Sequence, residues 1–439
     1  MQPLLGGYVS ALPGGKNAAA SRPHTQNLYN PSVRILISAG EASGEMYGAQ
    51  LIEALRKIDP SIEFFGVGGE RMRALGCDTV VEAKDLSVVG ITEILSHLPK
   101  IWGLFHKLIV EADKRKPDLA IVIDSPAFNW RVARQMHKRG VPVVYYVCPQ
   151  FWAWRQGRVR LLRKYVDKAL VIFPFEEKFY RDRGVDAEFV GHPLAELPRP
   201  AISREDYAAQ HKLDPTKQWI TLMPGSRVKE VHMNLPGILD AARVLGEQCE
   251  FILPVAYTLD SGLVQGVVES HPSKPAKGGA ASDRVQEKTT PHLVHEALPA
   301  LAHSRAGIVA SGTATVEAAM METPFVMVYR VNPLTYLLGR STVKVPHFAM
   351  VNLIAGEQVV PELVQGNFTP EKVAAEMNQI VPDGTPREEM LEGLRRVKGK
   401  LLGEGSGSTR PADRAAHAVL ELWRKSAPSA LVNRVAIEK

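Results

Sequence analysis

Apolar runs without polar alternation recur through the first half of the chain, at 33–38, 62–67, 119–124, 142–147, 169–173 and 187–190. Val, Ile, Leu and Phe dominate them, as expected for strands buried on both faces of a parallel sheet. Segments of helical period lie between, among them Tyr47 to Ile58 and Trp130 to Arg139. This alternation predicts a doubly wound sheet. The second half repeats the rhythm more loosely, with strands predicted at 219–223, 250–255, 306–310 and 325–329. Segments 371–381, 387–402 and 411–425 read as helices.

A chain of 439 residues exceeds one ordinary core, so two α/β domains facing across a cleft are expected. The N-terminal Rossmann-like domain is placed at 31–200 and the C-terminal one at 201–385. Pro193, Pro198 and Pro200 interrupt the pattern at their junction. Helices over 386–425 are expected to pack back on the first domain, with a tail at 426–439. Residues 1–30, rich in Gly, Ala, Pro and Asn, read as a disordered extension and poorly as a signal peptide. Segment 270–291, rich in Lys, Pro, Gly, Ala and Ser, reads as a mobile insertion.

A hydrophobic content of 45% with 23% charged residues is that of a soluble globular protein. No uninterrupted apolar stretch reaches the length of a membrane-spanning helix. Cys77, Cys148 and Cys249 are odd in number and lack CxxC spacing, which disfavours a disulfide framework or zinc site and fits a reducing cytosol. The net charge of +6 is unevenly spread. Arg155, Arg158, Arg160, Arg163, Lys164 and Lys168 face only Asp167 within one short segment. Such a patch suits anionic lipid, phosphorylated substrate or nucleic acid, and equally a solvated helix face.

Two glycine loops follow strands: Gly40-Glu41-Ala42-Ser43-Gly44-Glu45 and Pro224-Gly225-Ser226-Arg227. Backbone N–H groups exposed where a helix begins suit an anion, and Arg227 offers a fork of donors to a diphosphate. An ordinary turn with a surface Arg is the alternative. In Ser311-Gly312-Thr313-Ala314-Thr315-Val316-Glu317, phosphates could rest on a helix N-terminus with Glu317 on ribose hydroxyls. An ordinary N-cap with a favourably placed acid is the plainer view. Asp124 ends a predicted parallel strand, where it would point into the crevice as a general base or simply cap the following helix. No GxGxxG follows the first strand, and neither GxxxxGK[ST] nor an Asp-x-Asp pair occurs. A departing nucleoside diphosphate would therefore rely on Arg227 and helix dipoles.

The stretch Val88, Val89, Ile91, Leu95, Leu98, Ile101, Trp102, Leu104, Phe105, Leu108 and Ile109, interrupted by Pro99, covers more than one helical stripe. It reads as core helix or as a greasy surface for acyl chains or a membrane. Trp152 and Trp154, beside the basic segment, are core aromatics or headgroup anchors.

The strings AGEASGE, GVGGERM (66–72), VVGITEIL (88–95), DSPAFN (124–129), CPQFWAWR (148–155), GHP (191–193), PGSR, SGTATVE and Val351 to Gly356 resemble the lipid-A-disaccharide synthases in order and spacing, from about Val33 to about Trp423. The resemblance implies a GT-B glycosyltransferase with two Rossmann-like domains and neither cofactor nor metal. It implies transfer of 2,3-diacylglucosamine from UDP to 2,3-diacylglucosamine 1-phosphate, by an enzyme peripheral to the cytoplasmic face of the inner membrane. By position it assigns Asp124, Arg227 and Asn352 to catalysis. Gly225, Ser226, Arg227, Ser311, Gly312, Thr313, Thr315 and Glu317 are assigned to UDP. Glu41, Ser43, Val88, Val89, Ile91, Leu95, Leu98 and Trp102 are assigned to acceptor and lipid. A homodimer involving C-terminal segments is a looser implication. Departures from the family pattern are Glu45, where Asp is usual, and Ala127, where a second acid is usual. The rivals are another GT-B enzyme on UDP-N-acetylglucosamine, either a lipid-linked N-acetylglucosaminyltransferase or a 2-epimerase. A basic RNA-binding protein would leave the nucleotide loops without a reason.

Overall fold

The computed structural model describes residues 33–86, 94–153, 155–196, 199–256, 259–271, 290–332, 345–403 and 409–426. The expectations for residues 1–30, for 272–289 within the insertion and for the tail beyond Ser426 lie outside the described residues.

Two sheets form, and every pairing in them is parallel. The first takes β1 (Arg34–Ala39), β2 (Glu63–Gly68), β3 (Cys77–Glu82), β4 (Leu119–Ile123), β5 (Val143–Tyr146), β6 (Lys168–Val171) and β7 (Ala187–Phe189) in the order β3-β2-β1-β4-β5-β6-β7. The second takes β8 (Gln218–Met223), β9 (Cys249–Pro254), β10 (His292–Val294), β11 (Ala306–Ala310), β12 (Phe325–Tyr329) and β13 (Glu362–Val364) in the order β10-β9-β8-β11-β12-β13. The strand order reverses between β1 and β4, and again between β8 and β11. Ligands of open α/β sheets bind outside the carboxyl ends of strands at such points.

The central strands are the apolar runs of the sequence; β4, for example, is buried at all five positions. Strands β3, β10 and β13 have no counterpart among the predicted runs. All three are edge strands. β3 keeps Asp78 exposed and Thr79 and Glu82 half-buried, while β10 and β13 have three residues each. The Ala42–Ile58 helix begins five residues before its predicted start at Tyr47. Its first turns press Gly44 and Gly48 onto Ile123, a contact carried by small residues and invisible to apolar periodicity.

The Thr385–Leu402 helix packs on the Thr313–Met320 and Met350–Ala355 helices of the second sheet. The Pro411–Ser426 helix then packs along Ala42–Ile58 in the first sheet's layer, where Arg414 Nε donates to the Val190 carbonyl at 2.9 Å. Cys77, Cys148 and Cys249 are buried and free.

Candidate active site

β1 and β4 run in register to Ala39 and Ile123, so their loops leave the sheet side by side. Asp124 and Ser125 both adopt left-handed backbone, with φ of 48° and 46°, a conformation costing roughly 1–2 kcal/mol per residue outside glycine. Buried hydrogen bonds impose it. Asn129 Nδ2 donates to the carbonyls of Ser38, Ile123 and Asp124 at 3.1, 2.8 and 2.9 Å, and Ser38 Oγ donates to Asn129 Oδ1 at 2.7 Å. The Tyr145 hydroxyl donates to the Asp124 carbonyl at 2.9 Å. Gly40 allows the two loops to touch, since a Cβ there would lie 2.8 Å from Ser125 Oγ. The glycine of the first loop thus makes room for the Asp124 turn.

Burial pushes the Asp124 carboxyl up to about 7, helped by the charge of Glu41 and opposed by a Ser125 backbone hydrogen bond and by Arg227. Glu41 and Ser43 are half-buried at the start of the Ala42–Ile58 helix. Glu45 turns away: its Oε1 accepts from the Arg71 backbone N–H at 2.9 Å and so caps the Glu70–Ala74 helix.

At the second switch point, Gly225 has φ of +119°, and a Cβ there would strike Glu230 Oε2 at 2.5 Å. The backbone N–H groups of Ser226 and Arg227 donate to Glu230 Oε2 at 3.0 and 3.3 Å, and Arg227 Nη1 donates to Glu230 Oε1 at 2.9 Å. The backbone donors of Ser226 and Arg227 already hold a carboxylate, while the Arg227 side chain is exposed. Burial works against the Arg227 charge, but Glu230, followed by Glu41 and Asp124 across the cleft, outweighs it and raises its pKa. Asn234, fully buried, donates to the Pro224 carbonyl at 3.1 Å and accepts from the Arg330 N–H at 2.9 Å. It ties the ends of β8 and β12 much as Asn129 ties those of β1 and β4.

The neighbouring Thr313–Met320 helix starts directly after Gly312, and no side chain caps it. A Cβ on Gly312 would meet open space, and Thr313 is exposed. This helix start therefore leaves its backbone N–H groups without a side-chain cap, whereas those after Gly225 hold Glu230. Ser311 Oγ donates to the Phe348 carbonyl at 2.9 Å, and Thr315 Oγ1 to the Gly312 carbonyl at 2.8 Å. Both hydroxyls shape the loop. Burial raises the pKa of Glu317, one turn further in.

A family model described as lipid-A-disaccharide synthetase matches residues 35–401. A lipid-A-disaccharide synthase of Koribacter versatilis is 53% identical, over 90% of this chain and 99% of the relative. The chain belongs to the lipid-A-disaccharide synthetase family. Solved structures with the same fold include a UDP-GlcNAc 2-epimerase from Neisseria meningitidis bound to UDP-GlcNAc, with TM-score 0.57 and 12% identity over 90% of this chain and all of that one. The kitacinnamycin glycotransferase is comparable, with TM-score 0.57 and 14% identity over 89% of this chain and 99% of that chain. At these identities the likeness is one of fold: two parallel α/β sheets of GT-B type.

Within this family frame, Asn352 sits deeper than Asp124 and Arg227 do. The resemblance assigned it to catalysis, yet its side chain is fully buried and its hydrogen-bonding groups are occupied. Nδ2 donates to the Val360 carbonyl and Glu362 Oε1 at 2.9 and 2.8 Å, and Oδ1 accepts from the N–H groups of Val359 and Val360 at 2.8 and 2.9 Å. Glu362 also accepts from the N–H groups of Phe348 and Ala349, and Phe348 receives the Ser311 hydroxyl. Three hydrogen bonds, through Glu362 and Phe348, thus connect Asn352 to Ser311 of the loop.

On the expected lipid side, Val88, Val89 and Ile91 lie outside the described residues, as do Trp154 and the side chains of Leu95 and Leu98. Trp102 is 56% exposed and stacks on Phe105, whose ring meets Phe128 edge-on in the helix that follows Asp124. An apolar groove lined by Pro126, Trp130, Phe151, Leu161 and Tyr165 opens beside Arg158. Arg158, Arg160 and Arg163 are exposed and form no ion pair among the described residues; Lys168 instead pairs with Asp186 and Glu188. Trp152 is core, donating to buried Glu176 at 2.8 Å. Sequence reasoning did not assign roles to Asn129, Asn234, Glu230, Tyr47 or His192. GHP and DSPAFN were visible as strings, but the functions of those side chains depend on partners far along the chain.

Proposed function

We propose that the protein is an inverting glycosyltransferase that condenses UDP-2,3-diacylglucosamine with 2,3-diacylglucosamine 1-phosphate, releasing UDP and the lipid A disaccharide 1-phosphate. The observation that carries this is the electrostatic coupling of Asp124 with Arg227 across the two sheets, within a chain of this family. Asp124, with its carboxyl near neutrality, takes the proton of the acceptor 6-hydroxyl. That oxygen attacks the donor anomeric carbon opposite UDP, forming the glycosidic C–O bond as the C–O bond to the diphosphate breaks. The bond's electron pair leaves on UDP, where the Arg227 guanidinium and the start of the Thr313–Met320 helix meet the developing charge. Glu317 would accept from the ribose hydroxyls. Glu41 and Ser43 line the acceptor side, and Asn129 holds Asp124 in its left-handed turn.

Peripheral association with the inner membrane belongs to the same proposal. Exposed Trp102, the aromatic groove and the exposed arginines at 158, 160 and 163 support it, since an apolar surface beside cations suits an anionic lipid interface. No helix among the described residues is long and apolar enough to cross a membrane. The deciding experiment is a disaccharide-forming assay with both diacylated substrates in the presence of EDTA. Product formation supports the reaction and its independence of added metal. Turnover of UDP-N-acetylglucosamine alone, without disaccharide, would replace it with an epimerase.

A further inference from the structure

Two buried polar side chains, Tyr47 and His192, have no role so far. Tyr47, on the first helix, is 3% exposed, and His192, in the GHP segment, is 2% exposed. Their rings meet edge to face, with centroids 6.3 Å apart. The Leu194 N–H donates to His192 Nδ1 at 3.1 Å, which places the neutral ring's proton on Nε2. Neither Nε2 nor the Tyr47 hydroxyl has a hydrogen-bond partner among the described residues, and neither atom is sealed from solvent. Two donors that reach solvent from otherwise buried rings, with no protein partner, are free to donate to an acceptor from outside the protein.

Their position narrows what that acceptor is. Tyr47 feels the charges of Asp124, after β4, and of Glu317, in the helix after β11, so both carboxylates lie within electrostatic reach of it. The backbone of His192 donates to the Leu401 carbonyl at 2.9 Å, and the turn after it, Pro193–Glu196, packs on the Thr313–Met320 helix. Burial lowers the His192 imidazole to about 3 and raises the Tyr47 phenol. Both groups therefore stay uncharged donors at neutral pH. A diphosphate placed against them would face the two carboxylates, and Arg227 and the helix start already offer it positive charge. An uncharged sugar suits the place better, because its hydroxyl and carbonyl oxygens accept from Tyr and His while its hydroxyls donate to carboxylates.

We propose that Tyr47 and His192 form a pair of uncharged donors that holds the hexosamine of the donor nucleotide-sugar. This rests on the donor substrate named under Proposed function. The test is calorimetric titration of the full chain with UDP and, separately, with UDP-2,3-diacylglucosamine in detergent micelles. Tyr47→Phe keeps the buried ring and removes the hydroxyl. His192→Asn keeps an acceptor for the Leu194 N–H and removes the distal donor, whereas His192→Gln places an amide near Nε2. Tyr47→Phe and His192→Asn should each weaken nucleotide-sugar binding by about 3- to 10-fold while UDP binding stays within about twofold, and His192→Gln should recover part of the loss. Equal weakening of UDP would assign the pair to the diphosphate and overturn the proposal. Unchanged binding of both ligands would reduce the pair to packing and also overturn it. If one variant fails to fold, the substitution at the other position decides. A wild-type chain that binds the nucleotide-sugar but forms no disaccharide would refute the proposed reaction and leave this inference standing.

Discussion

Replacing Asp124 with Asn tests the centre of the mechanism through two independent readouts. The change removes the ionisable carboxyl but keeps its size and the backbone contacts that hold the turn. As the general base, Asp124 should contribute a factor of about 10²–10⁴ to turnover, so Asp124→Asn should lose that much at pH 8. The wild-type kcat/KM should rise with pH and level off above about 7, following the carboxyl pushed there by burial and by Glu41. The second readout is stability. The folded pKa lies above the unfolded value of about 3.9, so the carboxyl's contribution is fully present below about pH 3.9 and is lost as pH rises through about 7. The shift of roughly three units corresponds to at most ~4 kcal/mol. Asp124 is partly open to solvent, and screening reduces the expected penalty to about 1–2 kcal/mol. Asp124→Asn should therefore melt about 1–3 °C above wild type at pH 8, with the gap closing toward pH 4. Scanning calorimetry across pH, beside a disaccharide assay, measures both effects. Near-normal turnover of the variant, or a flat wild-type profile between pH 6 and 8, refutes Asp124 as the base; a variant less stable at pH 8 refutes the account of its pKa.

Three further outcomes follow from the same geometry. Glu230→Gln removes the internal carboxylate that holds Arg227 and its loop; UDP should bind several-fold tighter while the helix start loses about 1 kcal/mol of stability, and weaker UDP binding by calorimetry would show that Glu230 aims Arg227 productively. Asn352→Ala leaves the Val359 and Val360 N–H groups unpaired and should cost about 2–4 kcal/mol in denaturant melts, with turnover per folded molecule kept within about threefold. A large loss of turnover with unchanged melting would instead return Asn352 to direct contact with substrate. Reversing Arg158, Arg160 and Arg163 to Glu should cut sedimentation with anionic vesicles more than about tenfold at low salt, each cation near an anionic surface being worth ~1 kcal/mol; Trp102→Glu should weaken it further, and unchanged sedimentation would remove this face from the membrane proposal.

The parallel strands, the two-sheet plan and the main loops were legible in the sequence because burial on both faces leaves an uninterrupted apolar run. Asp124 was legible for a related reason: it stands where such a run stops. The edge strands β3, β10 and β13 were not, since one side of an edge has no neighbouring strand and short or polar segments suffice there. Local reading assigned the Gly225 loop to the diphosphate and the Gly40 loop to the acceptor side. Only the tertiary structure shows that Gly40 makes room for Ser125, that Glu45 caps a neighbouring helix, and that Glu230 accepts from the backbone donors after Gly225. It likewise decided the buried hydrogen bonds of Asn352 and the edge-to-face contact of Tyr47 with His192. Periodicity along a chain reports which side of an element is buried. Which donor meets which acceptor depends on residues brought together from distant parts of the chain, and only packing sets those pairs.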